Sequence, residues 1–162
     1  MYMKKGLICL LIVSVLSLSI INVAAASTSR STIVPYKGYH SELRSQQQTA
    51  INLMILDEKS GNKITTAAVG QKILVGGILE SGTDNPTPIG GATVKLQLSN
   101  DDSTWSDLKS TTTDSSSKYL GIFLAVLTPP SAGQFYFRAS FDGNTQYAPC
   151  MSNVAQLTVT SS

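Results

Sequence analysis

The chain has 162 residues, of which 42% are hydrophobic and only 14% charged, enough for a targeting segment and one domain of ordinary size. Twelve basic residues face ten acidic ones, and no basic run or patch is present, which excludes the electrostatic footprint of a nucleic-acid binder. One histidine and two cysteines exclude any metal site that draws four ligands from those types.

The first element in the chain is a targeting segment. Lys4 and Lys5 precede Leu7 to Val23, an apolar run broken only by Ser14, Ser17, Ser19 and Asn22. Ala24-Ala25-Ala26 then satisfies the small-residue cleavage pattern of a secretory signal peptide. The alternative is an uncleaved N-terminal membrane anchor oriented by its lysines, but the alanine site directly follows the run and favours cleavage after Ala26. A mature chain would lose two basic residues, leaving ten against ten. Cys9 would leave as well, so Cys150 stands alone and an intradomain disulfide is impossible. The expected location is extracellular or at the cell surface.

Residues 27–49 show no period, are rich in Ser, Thr and Gln, and carry the lone histidine, His40. They read as a poorly ordered linker or stalk. Its one apolar tract, Thr32-Ile-Val-Pro-Tyr36, is a candidate for docking on the domain, although Pro35 argues against a central strand.

From residue 50 to 162 the pattern is strand, turn, strand. Ala50–Leu56, a short piece at Lys63–Ala67, Gln71–Leu79, Ala92–Leu98, Trp105–Thr112, Tyr119–Leu127, Gln134–Phe141 and Asn153–Thr160 are separated by Gly, Pro, Asp and Asn clusters. Alternation is strict in Ala92–Leu98, with Val94, Leu96 and Leu98 inward. Phe135, Phe137, Ala139 and Phe141 share one face, as do Ala155, Leu157 and Val159. No helical period is sustained beyond the leader. The fold class is all-β, a two-sheet sandwich of about seven strands.

Several short motifs carry a family likeness. Pro88-Ile-Gly-Gly-Ala-Thr-Val94, Ser103-Thr-Trp105, Thr113-Asp114, Lys118-Tyr119, Thr128-Pro-Pro130, Ala132 to Ala139, Asp142 to Pro149 and Ser152-Asn-Val154 resemble the bacterial and archaeal Ig-like domains of cell-surface and secreted proteins. The stretch Pro88 to Tyr119 also resembles the transthyretin-like modules found beside carboxypeptidases. The first resemblance implies an exported, non-enzymatic surface module and brings no catalytic residues. Cys150 and the long apolar run Tyr119–Leu127 depart from it.

Little catalytic chemistry is legible. His40 lies in the linker, away from any packing that would hold a triad base, and no carboxylate pair has an apolar setting to shift a pKa. No catalytic residue, metal or cofactor is therefore expected. The loops before Ala92 and after Phe141 should share one end of the sandwich and offer Asp84, Asn85, Asp142 and Asn144. Turn chemistry explains these better than a calcium site, which needs six to eight oxygens. A sugar surface around Trp105 and Tyr147 is similarly weak, with Trp105 expected to cover a core edge.

Face sorting marks one unusual surface. With Ile51, Leu53, Ile55, Ile73, Val75, Leu79, Phe123, Ala125 and Leu127 inward, Met54, Leu56, Leu74, Ile78, Ile122, Leu124 and Val126 point outward from one sheet. A soluble monomer rarely exposes that much contiguous apolar surface. The face should pack against a second copy, another protein, or the chain's own membrane-proximal part, unless Ile33, Val34 and Tyr36 of the stalk fold back and cover it or a bulge near Gly76-Gly77 or Gly121 shifts the register. The expected function is protein–protein contact by a structural or adhesive module, by self-association or with a protein partner, and without nucleic acid. The alternative is a loop-end module for carbohydrate- or calcium-dependent binding.

Overall fold

A computed structural model describes residues 45–161. The predicted signal peptide and most of the linker lie outside the described residues. Alternating apolar side chains give ten strands: β1 (Thr49–Asp57), β2 (Thr66–Ala68), β3 (Ile73–Ser81), β4 (Thr87–Pro88), β5 (Thr93–Ser99), β6 (Ser106–Thr112), β7 (Ile122–Leu127), β8 (Gly133–Phe141), β9 (Cys150–Met151) and β10 (Ala155–Thr160).

The strands form two sheets with an Ig-like connectivity. In sheet 1, β3 is central, with β1 on one side and β7 and the short β4 on the other, all antiparallel. Sheet 2 runs β2-β10-β8-β5-β6, and β9 continues the β10 side of β8. The pair β2–β10 is parallel, with Thr66 opposite Thr158. The chain therefore crosses from sheet 1 to sheet 2 between β1 and β2. This crossing places the piece predicted at Lys63–Ala67 in the opposite sheet from β1 and shifts it to Thr66–Ala68.

The core is the slab between the sheets. Ile51, Leu53, Ile55, Ile73, Val75, Leu79, Phe123 and Ala125 from sheet 1 meet Val94, Leu96, Phe137, Ala139, Phe141, Leu157 and Val159 from sheet 2. These are the inward residues that alternation selects, and Leu98, Leu127, Phe135 and Ala155 pack at the rim.

Two of the glycines at close backbone approaches shape sheet 1. A Cβ at Gly77 would collide with the backbone carbonyl of Asn52 on β1, so only glycine lets β1 and β3 approach here. Gly121 has φ +79° and ends the turn before β7, where a Cβ would lie 2.7 Å from Pro88 Cβ. This turn corrects the predicted strand start at Tyr119, because β7 begins only at Ile122.

Pairing begins ahead of β1. The Gln47 N–H donates to the Gln146 carbonyl at 2.8 Å, and the Gln47 carbonyl accepts the Ala148 N–H at 2.9 Å. Asn153 then closes the outer edge of β1: its Oδ1 accepts the Leu53 N–H at 2.9 Å and its Nδ2 donates to the Leu53 carbonyl at 3.0 Å. The Ile64 N–H reaches the Ile55 carbonyl along the same edge at 3.0 Å.

Candidate functional site

The register of sheet 1 decides where the seven outward residues fall. β3 pairs with β1 from Ile73 opposite Asp57 to Ser81 opposite Thr49, and with β7 from Ile73 opposite Leu127 to Ile78 opposite Ile122. No bulge interrupts either ladder, so the considered slip at Gly76-Gly77 does not occur. Three cross-strand rows result on one face: Asn52–Ile78–Ile122, Met54–Gly76–Leu124 and Leu56–Leu74–Val126. All seven side chains are brought together.

Gly76 sits in the middle row and leaves a hollow. A Cβ there would fall 2.7 Å from Leu124 Cδ1, so the Leu124 side chain occupies that space. Met54, Leu56, Leu74 and Leu124 form a second apolar cluster, separate from the core between the sheets.

Most of this face is closed to solvent. Leu56 and Leu74 are 1% exposed, Ile122 4%, Met54 5% and Ile78 9%. Leu124 is half-buried and Val126 is 52% exposed. The accessible part lies at Leu124 and Val126 on β7 and at Asn52 on β1, while Met54, Leu56, Leu74, Ile78 and Ile122 are closed to solvent. Burying an aliphatic side chain is worth about 2 kcal/mol, so five of them contribute about 10 kcal/mol. That is comparable with the whole net stability of a domain. The face is therefore a second core by energy, although every described strand belongs to one of the two sheets and sheet 2 lies on the other side.

The two edges of sheet 1 also differ. The β1 edge is closed by Asn153 and Ile64. On β7, the Ile122 carbonyl accepts the Asp114 N–H at 2.8 Å. Alternation puts the backbone groups of Leu124 and Val126 on the same side, where no described strand pairs with them. The run Ile122–Leu127 carries no charge and no proline, the usual guards of such an edge.

The outer face of sheet 2 is polar apart from the exposed Met151 of β9. Lys95 and Asp142 form an ion pair at 2.6 Å that holds the lysine pKa above its ordinary value. Arg138 Nε donates to Gln97 Oε1 at 2.7 Å, and Gln97 Nε2 donates to Asp107 Oδ1 at 2.8 Å. The Arg138 guanidinium stacks 4.2 Å from the Trp105 ring centroid. Trp105 thus packs beneath an arginine on an outer face and does not cover a core edge. A tryptophan one residue ahead of an edge strand gives no sequence signal of that partner.

The groove at the loop end is lined by polar side chains and no charged one. Gly82, Thr83, Asn85, Thr87, Gln146 and Tyr147 share an open groove of about 540 Å³ with Gln47, Gln48 and Ser81. Asp84 and Asp142 do not line it, and Asp142 is engaged by Lys95. Asn144 Oδ1 accepts the N–H groups of Gln146 and Tyr147, each at 2.9 Å, which is turn chemistry. Among the described residues no group of three His, Cys, Asp or Glu is placed to hold a metal. Trp105, where β5 turns into β6, and Tyr147, after β8, stand at opposite ends of the sandwich, so the considered sugar surface is not assembled. Cys150 is a free, half-buried thiol whose pKa is pushed up by burial, the reverse of thiol activation.

The chain matches no protein-family model and no curated protein. Among solved structures it is similar to the CARDB domain of a Pyrococcus furiosus protein in complex with di-metal ions, at 12% identity and TM-score 0.47, covering 72% of this chain and 96% of that one. It is also similar to the superoxide reductase (neelaredoxin) of Ignicoccus hospitalis, at 9% identity and TM-score 0.40, covering 76% of this chain and 100% of that one. Likeness at this level carries no argument about ligand or reaction. The fold rests on the chain's own strand order.

Proposed function

We propose that this chain is an exported, non-enzymatic Ig-like module that works by protein–protein contact through the outer face of sheet 1. The observation that carries the reading is the set of three cross-strand rows, apolar apart from Asn52 and Gly76, in which Met54, Leu56, Leu74 and Leu124 cluster apart from the core. A sheet apolar on both sides is a sheet packed on both sides. The leader, with its small-residue site ending at Ala26, supports export to the cell surface or medium.

Leu124→Lys and Val126→Lys test the reading at the accessible column, where a lysine does not have to enter the closed part of the face. Native mass and melting temperature of the full exported chain are the measurements. A changed mass or a lower melting temperature is expected. Both values unchanged in both variants would remove the face as a contact surface.

A second reading rests on the loop-end groove, whose amides, hydroxyls and Tyr147 suit a neutral polyhydroxyl ligand better than a cation. A rise in melting temperature with neutral oligosaccharides would support it, because a ligand that binds only the folded state stabilises it. A rise with calcium would favour the cation version instead.

A further inference from the structure

The outer face of sheet 1 is closed unevenly, and the unevenness describes its cover. Met54, Leu56, Leu74, Ile78 and, at the start of β7, Ile122 are nearly inaccessible, whereas Leu124 is half-buried and Val126 is 52% exposed. A second copy laid face to face would close all three columns. A narrow cover along β1 and β3 would leave Leu124 and Val126 open.

We infer that this cover is the chain's own stalk stretch Thr32–Tyr36, lying along β1 and β3 with Ile33, Val34 and Tyr36 against the apolar rows. The inference rests on the reading of this face as a contact surface and names its occupant. Length permits it. Five extended residues span about 13 Å, the same as the distance from Leu74 to Ile78 that the three rows occupy. Residues 37–44 separate the stretch from the first described residue, Ser45, and reach about 26 Å when extended. β1 starts at the Ile78 end of the face, so the tether arrives at the correct end.

Composition fits as well. Between Arg30 and Lys37 the sequence Ser31-Thr-Ile-Val-Pro-Tyr36 carries no charge. It is the only apolar tract between the alanine site and β1. Pro35, unsuited to a central strand, is no obstacle to a segment that contributes side chains to a face. The more apolar run Leu7–Val23 would be removed with the leader. The domain would then be latched to its own stalk, which fixes its orientation on the surface that displays it.

Disulfide trapping in the full chain tests this. In a Cys9→Ser, Cys150→Ser background, Val34→Cys is combined with Met54→Cys on the face, or with Lys95→Cys on sheet 2 as the control. Mild oxidation is expected to close an intramolecular bond in the monomer with Met54→Cys and not with Lys95→Cys. A bond formed only between chains would assign the face to a second copy and overturn the inference, as would equal trapping in the control or no trapping at all. Independently, Ile33→Ser, Val34→Ser and Tyr36→Ser together should raise the fluorescence of a hydrophobic dye several-fold and lower the melting temperature. No change in either would also overturn it. If that triple variant is silent while Leu124→Lys alters mass or melting, the contact reading stands and only the occupant falls. If both are silent, both fall.

Discussion

Sheet 1 and sheet 2 share one core and differ in what they turn away from it. Sheet 1 carries Met54, Leu56, Leu74, Ile78, Ile122, Leu124 and Val126 on its outer face. Sheet 2 carries Lys95, Gln97, Tyr136, Arg138 and Gln156 in the same situation. Both sheets alternate, so both are well-formed strands. The alternation of sheet 2 is apolar against polar, which satisfies water directly. That of sheet 1 is apolar against apolar, which requires packing on two sides. An Ig-like sandwich thus has one self-sufficient layer and one that is complete only when covered.

The contrast can be broken most severely at the glycines. Gly77→Ala should prevent sheet 1 from forming, because the new Cβ meets the Asn52 carbonyl and neither backbone can withdraw within a nine-residue ladder. Circular dichroism of the purified variant should show loss of the cooperative fold. The next effect is a matched pair of truncations. Leu74→Ala, on the outer face of sheet 1, should cost about 2–5 kcal/mol in urea unfolding, as for a buried leucine. Thr158→Ala, on the outer face of sheet 2, should stay within about 0.5 kcal/mol. Equal costs would erase the distinction between the layers.

Smaller effects separate charge from packing. Arg138→Ala removes a stacked guanidinium and should cost about 1 kcal/mol by the same unfolding measurement. Glu80, one row beyond Ile78 on sheet 1, has its carboxyl pKa raised by burial. Its folded state holds the proton more tightly than the unfolded chain does. The stabilising contribution is therefore full below the unfolded value and is lost as pH rises through the folded one. Glu80→Gln should melt higher than the native chain at pH 7 and equal to it near pH 3. Asp57 has the opposite sign: the Ser60 backbone N–H holds its pKa down. Asp57→Asn should be destabilising at pH 7, with the gap closing as pH falls through the depressed value. The smallest change is expected for Lys95→Ala, which breaks an exposed ion pair and should leave the melting temperature nearly unchanged.

Much of the fold was legible because it depends on local period. Val94 and Leu96 on β5, Phe137, Ala139 and Phe141 on β8, and Leu157 and Val159 on β10 announce their inward face by spacing two. The seven residues of the outer face followed from the same rule, and the unbroken ladders show why it sufficed. The rest depends on distant pairings. Nothing in Thr66–Ala68 specifies a parallel partner 92 residues away at Thr158. Nothing around Trp105 indicates that Arg138 will lie over it. The turn at Gly121, with its positive φ, shortened a run that looks continuous from Tyr119. The exposure of the face was also beyond local pattern, because alternation gives the direction of a side chain and not what lies above it.

The crossing from sheet 1 to sheet 2 between β1 and β2 has a mechanical consequence. The described chain enters beside Tyr147, past the end of β8, and leaves through β10 opposite Gly133, at its start. A load drawn between those points runs along the strands. The pairs of β1 with β3 and of β2 with β10 then resist it side by side, in shear, instead of parting one at a time as in a peeled hairpin. Forced unfolding is governed by the unfolding rate, so this route through the sandwich favours a module that transmits tension without opening.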